Sequence, residues 1–459
     1  MRIYDSKTKQ PIEINNDEIR LYVCGPTVYD DAHLGHARSA VSFDLLVRVL
    51  KALGKKVIFA RNITDIDDKI LKKMRDTGKG LEEITTQYYK SYTAELAKLN
   101  CLAPDIEPKA TECVGDMTRL IQTLIGKNYA YVTPSGDVYF DAEKDDKYLS
   151  LSGHKLDEAQ SRLGESEKKN AKDFVLWKSA KEGEAVIFDS PFGLGRPGWH
   201  IECSAMIKKY LAREGEYQID IHGGGSDLLF PHHENEAAQS RCAFGSELSR
   251  IWMHNGFVTI GGEKMSKSLG NSFFLKDALS IYDGEVIRFY LLSTHYSANF
   301  NFSLEDLEAS KKRLDKLYRL KKRVGEAEPL EDAEFKAEFL SSLEDDLNIS
   351  KALATLDMYI AKINETLDKN PKDASVKQKA AFALSLAADT LGVGAKEATE
   401  YFQLGATNEE KAKIEELIAA RADAKKAKDF AKADAIRNEL KSMKIELLDT
   451  PSGTLWEKA

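Results

Sequence analysis

Three groups of residues, far apart in the chain, carry side chains able to do chemistry. The first is the run Tyr22-Val-Cys-Gly-Pro-Thr-Val-Tyr-Asp-Asp-Ala-His-Leu-Gly-His-Ala-Arg38, where Cys24 ends an apolar stretch and His33 and His36 flank Leu34-Gly35. The second is Cys203, His232 and Glu236: a thiol, an imidazole and a carboxylate, each a zinc donor. His232 and Glu236 are four apart and so share one face of a helix, as paired ligands on a helix must. The third is Lys264-Met-Ser-Lys-Ser268, two lysines bounded by Gly261, Gly262 and Gly270. Taken singly, each of these residues of the first run is better described as part of a buried cysteine and two surface histidines at a helix start. No short CxxC pair occurs, so spacing alone supports zinc only weakly.

These residues need elements that bring them together. Leu21 to Cys24 reads as the end of a buried strand, stopped by Gly25-Pro26. A helix is expected from about His33, through Ala37, Ala40, Val41, Phe43 and Leu46. A strand feeding a helix through a Gly/Pro turn is where α/β sheets bind nucleotides, because the free amides at the helix start attract phosphate. Lys56-Val-Ile-Phe-Ala-Arg-Asn reads as a second strand that delivers Asn62, Thr64, Asp65, Asp67 and Asp68 to the same sheet edge. That acidic group is either a Mg²⁺ site or a solvated loop. Tyr217-Gln-Ile-Asp-Ile-His returns to a buried strand, followed by Gly223-Gly-Gly-Ser-Asp227 and a helix carrying His232, Glu236 and Gln239. Ile251-Trp-Met-His254 and Val258-Thr-Ile lead into the lysine loop.

His-Leu-Gly-His near the start of such a sheet, followed at distance by Lys-Met-Ser-Lys-Ser, resembles the paired signatures of the class I aminoacyl-tRNA synthetases. The surrounding residues narrow the resemblance to the cysteine-specific family. They are Cys24-Gly-Pro-Thr-Val-Tyr, Arg61-Asn-Ile-Thr-Asp-Ile-Asp-Asp-Lys69, Gly195-Arg-Pro-Gly-Trp-His-Ile-Glu-Cys203 and His222-Gly-Gly-Gly-Ser-Asp-Leu-Leu-Phe-Pro-His-His-Glu-Asn-Glu236. The resemblance spans essentially the whole chain and is densest before residue 305. It implies ATP-dependent activation of L-cysteine and transfer to the 3′ end of tRNA(Cys). It implies one Zn²⁺ held by Cys24, Cys203, His232 and Glu236, with His233 pointing elsewhere, and Mg²⁺ accompanying ATP. It further implies that His33, His36, Lys264 and Lys267 serve catalysis. Gly35, Gly224, Asp227 and Lys267 would bind ATP, and Cys24, Gly25, Thr64 and Trp199 would border the substrate cysteine.

The family needs zinc because serine differs from cysteine by one atom, and a pocket that reads shape alone separates such pairs by only about 1–3 kcal/mol. A substrate thiol of pKa about 8.5 is readily deprotonated on the metal, and thiolate is a far better zinc ligand than hydroxyl. No separate editing site is therefore expected. Two other readings share the same signatures: a cysteine ligase acting on an amino-sugar, as in mycothiol biosynthesis, and a tRNA- or metal-binding homologue without activity. Residues 408–459 speak against the first, and the intact signatures against the second.

The chain has 459 residues, 42% hydrophobic and 31% charged, enough for several domains of ordinary globular composition. The fold class expected is an α/β Rossmann-like parallel-sheet catalytic domain over 1–303, carrying an inserted connective domain at about 115–200. An α-helical bundle would follow over 304–391, then a small C-terminal α+β anticodon-binding unit over 392–459. The insertion would contain strands at Val138-Tyr-Phe, Phe174-Val-Leu-Trp and Ala185-Val-Ile-Phe. Leu304, Leu307, Leu314, Leu317 and Val324 form a heptad-like stripe. The other faces of that helix hold eight lysines and arginines between 311 and 323, a candidate contact for the tRNA backbone. Trp456 beside Lys425, Lys426, Lys428 and Arg437 could stack single-stranded bases or simply pack. Net charge is −8, which weighs against simple non-specific DNA binding. Five cysteines make no disulfide framework, no apolar run approaches 18 residues, and the first residues lack a signal-peptide core. A cytoplasmic monomer without a membrane or DNA partner is expected.

Overall fold

The structure is a computed structural model that describes residues 1–459 except 155–166, 262, 265–272, 451–452 and 459. Its organising element is a four-stranded sheet with every strand parallel. In spatial order the strands are Glu247–Asn255, Tyr217–Gly225, Glu18–Val23 and Lys56–Arg61. The chain leaves Glu18–Val23 toward one edge and later returns to place Tyr217–Gly225 on its other side. That reversal makes a crevice at the carboxyl ends of those two strands, the point where open α/β sheets bind ligands.

The apolar residues within these strands, Ile19, Leu21, Ile219, Ile221 and Ile251, are all buried, and so are the polar Gln218, Asp220 and His222 between them. Helix Leu34–Ala52 crosses between the first two strands and buries Ala37, Val41, Phe43, Leu45, Leu46, Val49 and Leu50. Arg38, on the same helix, is buried, with both terminal nitrogens hydrogen-bonded. Its guanidinium donates to the carbonyls of Leu291, Thr294 and His295 and lies over the Phe300 ring. Burial pulls Arg38 down to about 10, which still leaves it charged at neutral pH.

Residues 130–197 form a second sheet, antiparallel, with strands Ala130–Val132, Val138–Phe140, Phe174–Ser179 and Gly195–Pro197. The segment read from sequence as a strand at 185–188 makes only a single bridge, Phe188 to Gly195. Gly195–Pro197 takes the edge position instead. This insertion hands the chain to helix Trp199–Tyr210, whose Ile201, Cys203, Ala205, Met206 and Ile207 join the core that also holds Tyr22 and Trp252.

The chain resolves into two compact units that do not follow sequence order: Met1–Lys311 with Ala333–Met358 and Asp389–Val393, and Lys312–Asp332 with Tyr359–Ala388 and Gly394–Ala459. The first contains both sheets described so far. Helix Leu304–Val324 carries the expected apolar stripe, and Leu307, Leu314, Leu317 and Val324 are buried. Leu304 is 56% exposed, because it opens the helix.

In the second unit, helices Asn408–Lys426 and Phe430–Ser442 pack on the hairpin Ile445–Thr450 and Gly453–Lys458. Their small core is Ile414, Ile418, Ile436, Leu440, Ile445 and Trp456. Trp456 is 2% exposed and donates Nε1–H to Glu415 at 2.6 Å, so it packs rather than offering a stacking face. At least four of the eight basic residues between 311 and 323 are committed internally. Arg319 and Lys322 reach Glu457, Arg323 reaches Asn364 and Asp368, and Lys321 donates to the carbonyls of Gly394 and Lys396.

Candidate metal centre and nucleotide cleft

The turn after Glu18–Val23 carries Cys24 into the crevice. Helix Trp199–Tyr210 brings Cys203 from the insertion, and the segment Leu229–His233 running into helix Glu234–Phe244 brings His232 and Glu236. Four donor atoms from Cys24, Cys203, His232 and Glu236 lie within 4.8 Å of one another. The two sulfurs are 3.7 Å apart, Cys24 Sγ is 3.8 Å from Glu236 Oε1, and His232 Nε2 is 3.0 Å from the same oxygen. A tetrahedron with Zn–S of about 2.3 Å has S–S edges of about 3.8 Å. The donor set and its spacing therefore fit a tetrahedral metal without rearrangement of the sulfurs.

The electrostatics suit a dication. Burial opposes charge on all these groups, but His222 and His232 together pull Glu236 down to about 2. Burial likewise opposes the Cys203 thiolate, yet the Cys24 and His232 hydrogen bonds bring Cys203 down to about 6. Against its own burial, His232 is pushed up to about 10 by Glu236 and Cys203, so a proton holds the place of a cation. Burial keeps Cys24, which hydrogen-bonds Cys203, well above the usual thiol range.

His233 does not point away from the cluster. Its Nε2 lies 3.4 Å from Cys24 Sγ, and Cys24, His222, His233 and Glu236 form a second, overlapping group of possible donors. The two adjacent rings reach different members of one cluster: His232 meets Glu236, and His233 meets Cys24. In that second set His222 Nε2 sits 2.8 Å from Glu236 Oε2, and His233 Nδ1 sits 2.8 Å from His254 Nε2. His254 continues to the Ser6 hydroxyl at 2.8 Å. These bonds already hold His222 and His233 as supports for the cluster. Sequence reading missed His222, His254 and His200, whose Nδ1 lies 3.0 Å from that of His232. The available signal was polar residues, His222 and His254, inside strands that otherwise read as buried, where every such group needs a partner.

Beside the cluster lies a cleft of about 330 Å³, lined among others by Cys24, Gly25, His33, Gly35, His36, Arg61, Trp199, Gly225, Asp227 and Asn255. Trp199 is 38% exposed, and its ring stands 4.2 Å from that of His232, so it forms an aromatic wall between cleft and metal locus. Gly224 is buried within its strand; Gly225 and Asp227 are the members of that stretch that line the cleft. Thr64 lies behind the wall, 2% exposed and hydrogen-bonded to Glu202.

His33 is the N-cap of helix Leu34–Ala52, and the two histidines cap it reciprocally. The Gly35 amide donates to His33 Nδ1 at 3.0 Å, and the His33 amide donates to His36 Nδ1 at 3.2 Å. An Nδ1 that accepts from an amide leaves the ring proton on Nε2. The rings stack 3.9 Å apart. Gly35 is required: a Cβ there would stand 2.8 Å from the His33 ring. Two imidazole N–H donors and a helix N-terminus facing one cleft are equipped to stabilise developing negative charge on phosphate oxygens.

The acidic residues after the second strand do not gather. Asp65 binds Thr111, Asp67 caps helix Asp68–Thr77, and Asp68 meets Lys178 and Arg196. Lys264 falls in the short strand Glu263–Lys264, paired with Val258–Ile260, and Lys267 lies outside the described residues.

A parallel nucleotide-binding sheet with its cleft at the strand reversal, a double-histidine helix start and an inserted antiparallel domain define a class I aminoacyl-tRNA synthetase fold. The profile of the "tRNA synthetases class I (C) catalytic domain" matches residues 10–312, and that of the "DALR domain" matches residues 338–396. Solved structures share the fold at 15% identity. The Mycobacterium tuberculosis methionyl-tRNA synthetase in complex with methionyl-adenylate superposes with a TM-score of 0.61, covering 82% of this chain and 92% of that one. A putative arginyl-tRNA synthetase from Campylobacter jejuni gives 0.55, covering 83% and 94%. Curated relatives are closer in sequence: the cysteine–tRNA ligases of a Nitratiruptor species and of Helicobacter pylori are 59% and 54% identical, each aligned over 100% of both chains. The chain belongs to the cysteine–tRNA ligase family. Among the described residues no helix is long and apolar enough to cross a membrane.

Proposed function

We propose that the protein is a cysteine–tRNA ligase that activates L-cysteine with ATP and transfers it to the 3′ end of tRNA(Cys). The observation that carries this reading is the convergence of Cys24, Cys203, His232 and Glu236 beside a cleft that opens onto the His33–His36 helix start. Cys24, Cys203, His232 and Glu236 would hold one Zn²⁺, which when bound supplies a coordination position for the substrate's sulfur that serine cannot fill equally. Trp199 and the Cys24–Gly25 turn would border the bound amino acid. Asp227 would accept from ribose hydroxyls, with Gly225 rather than Gly224 nearest the adenosine. His33 and His36 would hydrogen-bond the ATP phosphates as charge moves toward pyrophosphate, while Lys267, assisted by Lys264, would steady the β and γ phosphates. Mg²⁺ would enter with ATP rather than on a protein carboxylate cluster. Cysteine-dependent ATP–pyrophosphate exchange together with charging of tRNA(Cys) tests the reading; exchange with no amino acid, or exchange without charging, overturns it.

Residues 1–303, with the insertion at about 115–200, would carry the chemistry. The helices of 304–391 and the unit at 392–459 would serve tRNA, the last by contacting the anticodon. Deleting 408–459 should leave ATP–pyrophosphate exchange within about twofold while lowering charging by at least about tenfold, a loss of roughly 1.4 kcal/mol in transition-state binding.

Metal uptake should be proton-linked. At pH 7.5 Cys203 and Glu236 enter deprotonated, whereas Cys24 as a thiol and His232 as an imidazolium must each lose a proton. Loading the apo-protein with Zn²⁺ should therefore release about two protons, and its apparent affinity should fall about a hundredfold per pH unit of acidification near that pH. Titration in two buffers of different ionisation enthalpy counts them. With His233 in place of His232 one of the two disappears, because burial beside other histidines holds His233 neutral.

A further inference from the structure

Cys24 and Cys203 are 179 positions apart and arrive on different elements, so something must fix the distance between their sulfurs. We propose that the hydrogen bond from Thr64 to Glu202 is a buried tie that sets this spacing, which makes Thr64 a positioning residue of the metal centre. The inference rests on the metal reading above.

The tie has two halves. On one side, the strand end at Asn62–Thr64 grips the Cys24 turn. The Thr64 amide donates to the Pro26 carbonyl at 3.1 Å, and the Val28 amide donates to the Thr64 carbonyl at 3.2 Å. The Gly25 amide donates to Asn62 Oδ1 at 2.8 Å. The contact is close enough that a Cβ on Gly25 would fall 1.6 Å from the Asn62 carbonyl oxygen. On the other side, Thr64 Oγ1 donates to Glu202 Oε2 at 3.0 Å, and Glu202 is the residue before Cys203 on its helix. The Cys24 turn is thus bound to the strand end, and the strand end is bound to the helix that carries the second sulfur.

The polarity of the chain follows from donor counts. A hydroxyl has one proton, and Glu202 takes it. Asn62 Nδ2, 3.2 Å from Thr64 Oγ1, must then be the donor to that oxygen. This orientation turns Asn62 Oδ1 toward the Gly25 amide and places it 3.9 Å from Cys203 Sγ. Asn62, Thr64 and Glu202 are exposed by 1%, 2% and 1%, so water cannot replace a lost partner.

The test is metal affinity and Co²⁺ spectroscopy, neither of which depends on catalysis. Thr64→Val keeps the side-chain shape and removes the hydroxyl. It should weaken Zn²⁺ binding by about 10–100-fold, the range for loss of a group that orients metal ligands. It should also change the sulfur-to-Co²⁺ charge-transfer band of the Co²⁺-loaded protein. Thr64→Ser should restore both. Glu202→Met, which removes the acceptor and keeps the bulk, should reproduce the Thr64→Val result and supplies the reading if Thr64→Val is poorly folded. Wild-type affinity and spectrum in Thr64→Val or in Glu202→Met, or a defect in Thr64→Ser as large as that in Thr64→Val, overturns the tie while leaving the metal centre standing. Failure of the wild-type protein to take up one Zn²⁺ or Co²⁺ would overturn both.

Discussion

Cys203→Ser is expected to remove the bound metal and cysteine activation together. The substitution deletes one sulfur and leaves every neighbouring atom in place. A neutral hydroxyl is a poor ligand for a borderline-soft dication, so the remaining site offers one thiolate, one imidazole and one carboxylate. Losing a group that only orients ligands costs 10–100-fold in affinity, so losing a ligand should cost at least about 100-fold. The effect on activation should be larger, about 1,000-fold in kcat/KM for cysteine or roughly 4 kcal/mol, because the position that would take the substrate's sulfur disappears with the metal. Discrimination against serine should shrink in the same variant. Metal content by emission spectroscopy and ATP–pyrophosphate exchange read the two losses. One zinc per chain with normal exchange would remove Cys203 from the ligand set.

The parts of this architecture that could be read from sequence are those encoded locally. Val23 ends a strand because Gly25-Pro26 cannot continue it, and helix Leu34–Ala52 starts at His33 because its apolar positions recur at helical spacing. The pairing of His232 with Glu236 is likewise a matter of spacing four. What could not be read depends on partners that sequence distance hides. Arg319 and Lys322 look like free cations on a helix surface until Glu457, more than a hundred residues later, is seen to occupy them. For Trp456 the sequence leaves stacking and packing both open, and its ring lies in the core of its own hairpin and helices. His233 sits next to His232, and regular helix geometry would turn it about 100° away. Both rings nevertheless touch the cluster, because Cys24 and Glu236 stand between them: His232 meets Glu236 and His233 meets Cys24. Glu202 was legible only as the residue before Cys203 in its motif; its bond to Thr64 spans 138 positions.

Replacing His36 is the second change expected to have a large effect, and the two-sided role of its ring makes the outcome diagnostic. His36 Nδ1 accepts the His33 amide and completes the cap of helix Leu34–Ala52, while its Nε2–H belongs to a ring that lines the cleft. His36→Ala removes both functions. Loss of the cap should cost about 1 kcal/mol of stability. Loss of a preorganised donor to the phosphates should slow single-turnover adenylate formation by about 10²–10³-fold, with the cysteine KM changed by less than about threefold, since the donor acts on charge that develops in the transition state. Two further variants separate the functions. In His36→Asn the side-chain oxygen lies near the position of Nδ1 and can still accept from His33, so stability should return but not the rate. In His36→Gln the amide nitrogen lies near the position of Nε2, so part of the rate should return without the cap. Thermal unfolding and rapid-quench kinetics measure the two axes independently. Recovery of the full rate in His36→Asn would show that the ring serves the helix and not the phosphates.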